Sequence, residues 1–191
     1  MAEAAQRNPG GMTAVIGLPD DRVIEICTQA GSIGAVVPAN FNSPGQLVVS
    51  GTPDALDRVA QLATAAGGRA MPLRVAGAFH SPLMDDAARE FSHLVAAVAI
   101  ADPRIPVIAN VSAEPVADAD SVRSAISRQM TSPVLWTDSV RRMVADGVSL
   151  FLEVGPGKVL TNLIQRISTD ARTVAVGSLD ALETLSQEVN P

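Results

Sequence analysis

Apolar positions recur in two rhythms along this chain, and the change from one to the other divides it. Residues 12–18 (MTAVIGL) form a short apolar run rich in β-branched side chains, and after Pro19 the apolar positions Val23, Ile26 and Cys27 fall at helical spacing. The pattern predicts a strand followed by an amphipathic helix. Residues 34–40 (GAVVPAN) and 46–50 (QLVVS) read as two more strands, and the FNSPG between them is turn chemistry, so the pair should form a hairpin. Thr52 and Pro53 suit an N-cap and a first helical position, and Leu56, Val59, Ala60 and Ala63 continue on one face until Gly67 and Gly68. Residues 69–75 (RAMPLRV) supply a fourth strand. The order β-α-β-β-α-β over residues 12–76 is that of a ferredoxin-like subdomain, in which two helices cover one face of a four-stranded sheet.

Beyond residue 77 helix and strand alternate. The pattern predicts a helix at 82–98, a strand at 107–111, helices at 121–130 and 138–145, a strand at 150–154, a further helix, and a strand at 173–176. That spacing predicts α/β construction with parallel strands. Three such strands make a thin sheet, and parallel sheets are normally covered on both faces, so residues 77–191 read as part of a larger layer. No internal repeat, low-complexity tract or long linker interrupts the chain.

Composition narrows the function classes. Of the 191 residues 47% are apolar and 18% charged, which supplies a core and argues against long disorder. The formal charge of -6, with no tyrosine, one tryptophan and four phenylalanines, argues against nucleic acid and anionic membrane surfaces as partners. Cys27 is the one cysteine, so neither an intrachain disulfide nor a cysteine-based metal cluster can form. Residues 1–11 lack the pattern of a signal peptide, and no apolar run approaches the ~20 residues that span a bilayer. The expected location is the cytoplasm.

His80, in GAFHSPLM at 77–84, stands between a predicted strand and a predicted helix. It reads either as a local hydrogen-bonding group or as an acid–base residue, since histidine titrates near neutrality and α/β folds assemble active sites on loops leaving strand ends. His93 falls mid-helix and reads as a surface or partly buried residue, Ser81 as a turn or cap residue, and Cys27 as structural. A serine nucleophile on an α/β sheet is usually presented by a G-x-S-x-G elbow, and these residues contain none. Gly155, Pro156 and Gly157 lead into a helix with Lys158 in its first turn; a tight turn is the plainer reading, and an anion at the helix N-terminus is the alternative.

Four stretches, VAGAFHSPLM (75–84), ANFNSPGQ (39–46), RQMTSPVLW (128–136) and FLEVGPGKVL (151–160), occur in the order in which they resemble motifs of the bacterial malonyl-CoA:acyl carrier protein transacylase family. The resemblance runs from about residue 1 to 178. It implies an α/β fold in which the ferredoxin-like subdomain (12–76) joins part of an α/β-hydrolase-like acyltransferase domain (77–191). It also implies ping-pong transfer of malonyl from coenzyme A to the phosphopantetheine thiol of acyl carrier protein through an acyl-serine, without cofactor or metal. By the same resemblance His80 is the acid–base residue, and the backbone carbonyl of Gln129 is the acceptor that orients it, so that the amide side chain of Gln129 is not the essential part; a plain exposed residue near a helix end is the other reading of Gln129. Asn40, Asn42 and Gln46 correspond to polar residues directed at the acyl pocket, with hairpin-turn chemistry as the other reading. Phe79 corresponds to a malonyl-type selectivity position, which disfavours bulkier branched extenders.

The family's G-H-S-x-G-E segment, its early G-Q-G segment and the arginine that pairs with the malonyl carboxylate have no counterpart here. The expectation is therefore the C-terminal three-fifths of such an enzyme, inactive alone. Three accounts fit: a truncation, one half of a split enzyme whose N-terminal half is a separate chain, or a non-catalytic module that binds acyl carrier protein.

Overall fold

A computed structural model describes residues 2–189; Met1, Asn190 and Pro191, which end the ranges drawn above, lie outside the described residues. The chain forms two compact units, Met1–Ser139 and Val140–Pro191.

The first unit opens with α1 (Ala2–Arg7), then β1 (Gly11–Ile16), α2 (Asp20–Ala30), β2 (Val36–Ser43), β3 (Gln46–Gly51), α3 (Pro53–Ala65) and β4 (Arg69–Pro72). The four strands form one sheet in the order β2-β3-β1-β4 with every neighbouring pair antiparallel, so β3 is inserted between β1 and β2 as the ferredoxin-like order requires. Alternation along the strands sorts the side chains. Val15, Leu47 and Val49 meet Val23, Ile26 and Ala30 of α2 and Val59 and Ala63 of α3, all buried, and this layer is the main core. Met12, Ala14, Ala39 and Val48 lie buried in a second, smaller cluster, against which Phe79 packs.

The hairpin turns more tightly than the sequence suggests. Phe41, Asn42 and Ser43 belong to β2, and the turn is Pro44–Gly45, with Gly45 at φ 73° in the position of a type II turn that demands it. The register shifts between Pro38 and Asn40 and again between Phe41 and Ser43, the irregularities that re-aim side chains on a strand. β4 stops at Pro72, whose ring cannot donate to a ladder, short of the predicted residue 75.

A 3₁₀ turn (Pro82–Met84) and α4 (Asp85–Ala97) come next, then β5 (Val107–Ala109), β6 (Glu114–Val116), α5 (Ala119–Gln129) and α6 (Trp136–Ala145). Here the expectation of three parallel strands fails. β5 doubles back through Asn110–Ala113 and pairs antiparallel with β6, a strand that the hydrophobic pattern does not predict. Ala113 at φ 56° and the bond from its amide to the Ala109 carbonyl (2.8 Å) close that turn. α5 begins with a reciprocal cap, Asp118 accepting from the Ser121 amide while the Ser121 hydroxyl accepts from the Asp118 amide.

In the second unit β7 (Leu150–Val154) and β8 (Arg172–Val176) pair in parallel across α7 (Val159–Ile167), as predicted, and α8 (Leu179–Val189) closes the described chain.

Candidate active site

His80 occupies the loop between β4 and the 3₁₀ turn, with its backbone at φ 58° in the left-handed region that non-glycine residues rarely adopt. The flanking residues hold it there. Ser81, 1% exposed, donates its hydroxyl to the Ala78 carbonyl (2.6 Å) and accepts from the Leu83 amide (3.3 Å), the cap role read from sequence. Gly77 lies so close to α1 that a Cβ there would sit 2.6 Å from the Ala5 methyl. Backbone strain that persists because its surroundings over-determine it is a mark of functional loops. The strain has a direct test. His80→Gly and His80→Ala remove the same imidazole and differ by one Cβ, so the glycine variant is expected to be the more stable by about 1–2 kcal/mol in urea unfolding.

The ring has a defined partner. His80 Nδ1 lies 3.0 Å from the carbonyl oxygen of Gln129, 49 residues along the chain. A carbonyl only accepts, so Nδ1 carries the hydrogen of the neutral ring and Nε2 keeps its lone pair. Gln129 is the last residue of α5, where carbonyls lack intrahelical partners and the negative end of the helix dipole favours a cation. The arrangement leaves the Nε2 lone pair free to take a proton.

The ring also lines a cleft of about 320 Å³, whose polar groups besides His80 come from Asn40 and Asn42 on the bulged strand β2. Phe79 forms another wall. Of the six residues singled out from sequence, five therefore meet: His80 on Gln129, and Phe79, Asn40 and Asn42 around the same cleft. Gln46 does not join them. It starts β3 beside the Pro44–Gly45 turn, opposite Ser43 and Ile16 in register, and is not a lining residue of the cleft. Met12, Val48 and Leu73 complete the lining and were not anticipated. The signal was present in the strand alternation, since Met12 and Val48 take the parity opposite to the core residues Val15, Leu47 and Val49.

The segment after Gln129 is stitched to the cleft wall. The Val134 amide donates to the Ala39 carbonyl (2.8 Å), the Phe41 amide to the Val134 carbonyl (2.9 Å), and the Thr137 hydroxyl to the Phe41 carbonyl (3.0 Å). These bonds occupy the outer edge of β2, which would otherwise be an open strand edge.

Other candidates settle as structural groups. Cys27 is buried, and burial pushes its thiol up to about 12, which keeps it protonated and unreactive. His93 is exposed on α4. The N-terminus of α7 is already taken by the chain's own carboxylate: Glu153 accepts from the amides of Thr161 (2.8 Å) and Leu160 (3.1 Å). The turn reading of Gly155–Gly157 thus stands, with both glycines at positive φ, and the anion alternative gives way to Glu153.

The Thr161 amide bond, the largest influence, holds the Glu153 carboxyl below its ordinary 4.5 against an opposing effect of burial. A carboxyl with a depressed folded-state value stabilises the fold above its ordinary value, and that stabilisation is lost as pH falls from the ordinary value through the depressed one. Glu153→Gln is accordingly expected to lower the thermal midpoint at neutral pH, and the gap from the parent should narrow as the pH drops below the ordinary 4.5. A gap that stays constant down to pH values below that would contradict the capping role.

Among the described residues no group of three or more His, Cys, Asp or Glu is placed to hold a metal, and no helix is long and apolar enough to cross a membrane.

The family model of the acyl transferase domain matches residues 1–188. The chain belongs to the acyl transferase domain family. It is 36% identical, over an alignment of 194 residues, to the malonyl CoA-acyl carrier protein transacylase of Bacillus subtilis, covering 98% of this chain and 61% of that relative. The acyl carrier protein S-malonyltransferase of Vibrio cholerae superposes with a TM-score of 0.92 at 40% identity, over 96% of this chain and 61% of the other. A malonyl-transacylase solved with its type II polyketide synthase acyl carrier protein superposes with a TM-score of 0.93 at 34% identity, over 97% of this chain and 62% of that one. The chain thus spans about three-fifths of the length of the relatives it matches. This acyl transferase fold is mixed α/β, as the alternation of elements predicts.

Proposed function

We propose that these residues form the C-terminal part of a malonyl-CoA:acyl carrier protein transacylase and supply its acid–base histidine together with walls of its acyl pocket. The observation that carries the reading is the His80 Nδ1 contact with the Gln129 carbonyl, which leaves Nε2 basic beside a cleft walled by Asn40, Asn42 and Phe79. The similarity to transacylases over nearly the whole chain supports the choice of reaction.

On this reading the nucleophilic serine comes from residues outside this stretch. Nε2 of His80 takes the serine proton as the hydroxyl oxygen attacks the thioester carbonyl of malonyl-CoA. The tetrahedral intermediate collapses, the C–S bond breaks, and the imidazolium returns its proton to the coenzyme A thiol, leaving malonyl-serine. The second half runs in reverse. His80 takes the proton of the phosphopantetheine thiol, the sulfur attacks malonyl-serine, and the serine oxygen leaves with the proton. The Gln129 carbonyl holds the ring in the required tautomer throughout, as the carboxylate does in a serine-histidine-aspartate triad. Phe79 restricts the cleft toward unbranched acyl groups. Asn40 and Asn42 offer amide groups to the acyl oxygens, and Gln46, away from the cleft, supports the hairpin.

We place the small subdomain at residues 12–76 and assign 77–191 to the large acyltransferase subdomain; apart from Gly11, the first residue of β1, the strands and helices from β1 to β4 fall within that first range. The location on this reading is the cytoplasm, and the partners are malonyl-CoA, acyl carrier protein and the remainder of the acyltransferase, in the same chain or a separate one.

The test is reconstitution. This chain is joined to, or co-expressed with, the preceding segment of a relative such as the Bacillus subtilis transacylase. Malonyl-CoA should then leave a malonyl ester on the supplied serine, detected by intact mass, and acyl carrier protein should discharge it. A folded assembly that forms no malonyl-enzyme would overturn the reading.

A further inference from the structure

We propose that the side chain of Gln129, beyond its backbone carbonyl, is a positioning group for His80: it clasps the 130–134 turn and so ties the carbonyl that His80 uses to the strand bearing Asn40 and Asn42. The inference rests on the reading of His80 as the base. Gln129 Nε2 shares its hydrogens between the carbonyls of Ser132 (3.3 Å) and Pro133 (3.4 Å). The amide therefore holds the turn that leaves the helix, while the carbonyl of the same residue receives the imidazole.

The geometry matters because Gln129 is a helix-terminal residue. Helix ends fray, and the direction of a last-turn carbonyl is set by the residues just beyond the helix. Here those residues form a turn anchored at its far end by two backbone bonds of Val134 to Ala39 and Phe41 and by the Thr137 hydroxyl on Phe41. A contiguous path of hydrogen bonds thus runs from the strand that walls the cleft, through Val134 and the Ser132–Pro133 carbonyls, to Gln129 and His80. Reaction geometry is sensitive to displacements well under 1 Å, so an acceptor fixed from both sides serves the ring better than a free helix end. Ser132 and Pro133 present only carbonyls to the amide, so the position needs a donor. A carboxylate of the same length would meet them with repulsion and an alanine with nothing, yet both keep the backbone carbonyl.

The test reads the imidazole itself, without substrate or a second segment. In the ¹⁵N-labelled chain, long-range ¹H–¹⁵N spectra recorded well above neutrality report the tautomer of each histidine, and His93→Gln assigns the two. The parent should hold His80 chiefly as the Nδ1–H form. Gln129→Ala and Gln129→Glu are each expected to move the tautomer ratio toward Nε2–H by about threefold to tenfold, the worth of one neutral hydrogen bond. Thr137→Val, which removes the hydroxyl bond to Phe41 and none of the bonds described for Gln129 or His80, should move it the same way by a smaller factor. Parental ratios in both Gln129 variants with an intact amide spectrum would overturn the proposal, since α5 alone would then place the carbonyl. Should the Gln129 variants not fold, Thr137→Val decides, and an unshifted ratio there overturns the link to β2. A failed reconstitution bears on His80 as base, and the tautomer ratio on what orients it, so the two failures are distinguishable.

Discussion

In the reconstituted enzyme, His80→Ala is expected to lower malonyl transfer by about 10²–10⁴-fold, the usual contribution of a positioned acid–base side chain. On the proposed reading the loss should fall on kcat and on kcat/KM together, with KM for malonyl-CoA little changed, since a group that moves protons in the transition state without holding substrate has that signature. If His80 serves both half-reactions as proposed, the malonyl-enzyme should form slowly from malonyl-CoA and also discharge slowly to acyl carrier protein. His93→Ala, at an exposed position on α4, provides the control and should leave the rate at the parental level. Transfer at parental rates after His80→Ala would remove His80 from the mechanism even if reconstitution itself succeeds.

How far this site was legible from sequence depends on which group is asked about. His80 announced itself as a side chain capable of proton transfer after a β-rich run, and the structure adds the left-handed backbone that no composition encodes. Its partner was not visible in the same way. The acceptor is a backbone carbonyl 49 residues away, and any residue type presents one, so only the resemblance of the RQMTSPVLW stretch pointed there. Asn40 and Asn42 read equally well as turn residues, and it took the two register shifts in β2 to place them on the cleft.

The fold divides along similar lines. β1 to β3 were readable because each holds adjacent or closely spaced β-branched residues near proline or glycine, and β4, RAMP, because it follows the Gly67–Gly68 break after a helix with a clear apolar face. β5 falls within the strand predicted at 107–111, but β6, of three residues, is too short for a period-two pattern to register, and the antiparallel pairing of the two is fixed by a local turn at Ala113. The small α1 escaped for a different reason: AEAAQR holds no large apolar residue, so its six residues carry no amphipathic pattern. α8 did carry one, in Leu179, Leu182 and Leu185, yet it was not among the predicted helices.

The second large effect is expected in the sheet that carries the cleft. Leu47 is fully buried in the core of β1, β3, α2 and α3, on the face of β3 opposite to the cleft residue Val48 and across the ladder from Phe41 and Val15. Leu47→Ala removes three buried carbons and leaves a cavity that two strands and two helices, already packed at Val15, Val49 and Ile26, can fill only in part. The expected cost is about 2–5 kcal/mol, the range for such truncations in closed cores. Against a usual domain stability of about 5–15 kcal/mol, that is enough to bring the small subdomain near unfolding at physiological temperature. Leu47→Met, which nearly conserves volume, should cost less than about 1.5 kcal/mol, and Val154→Thr, at a position 81% exposed in this chain, should stay within about 0.5 kcal/mol. Urea midpoints at a common slope rank the three variants. A Leu47→Ala midpoint equal to that of Val154→Thr would mean that the layer between sheet and helices is not the main source of stability. If the ranking holds, the same truncation should also blur the cleft, since β2 keeps its bulged register only while Phe41 packs against this core, and Asn40 and Asn42 depend on that register for their place beside His80.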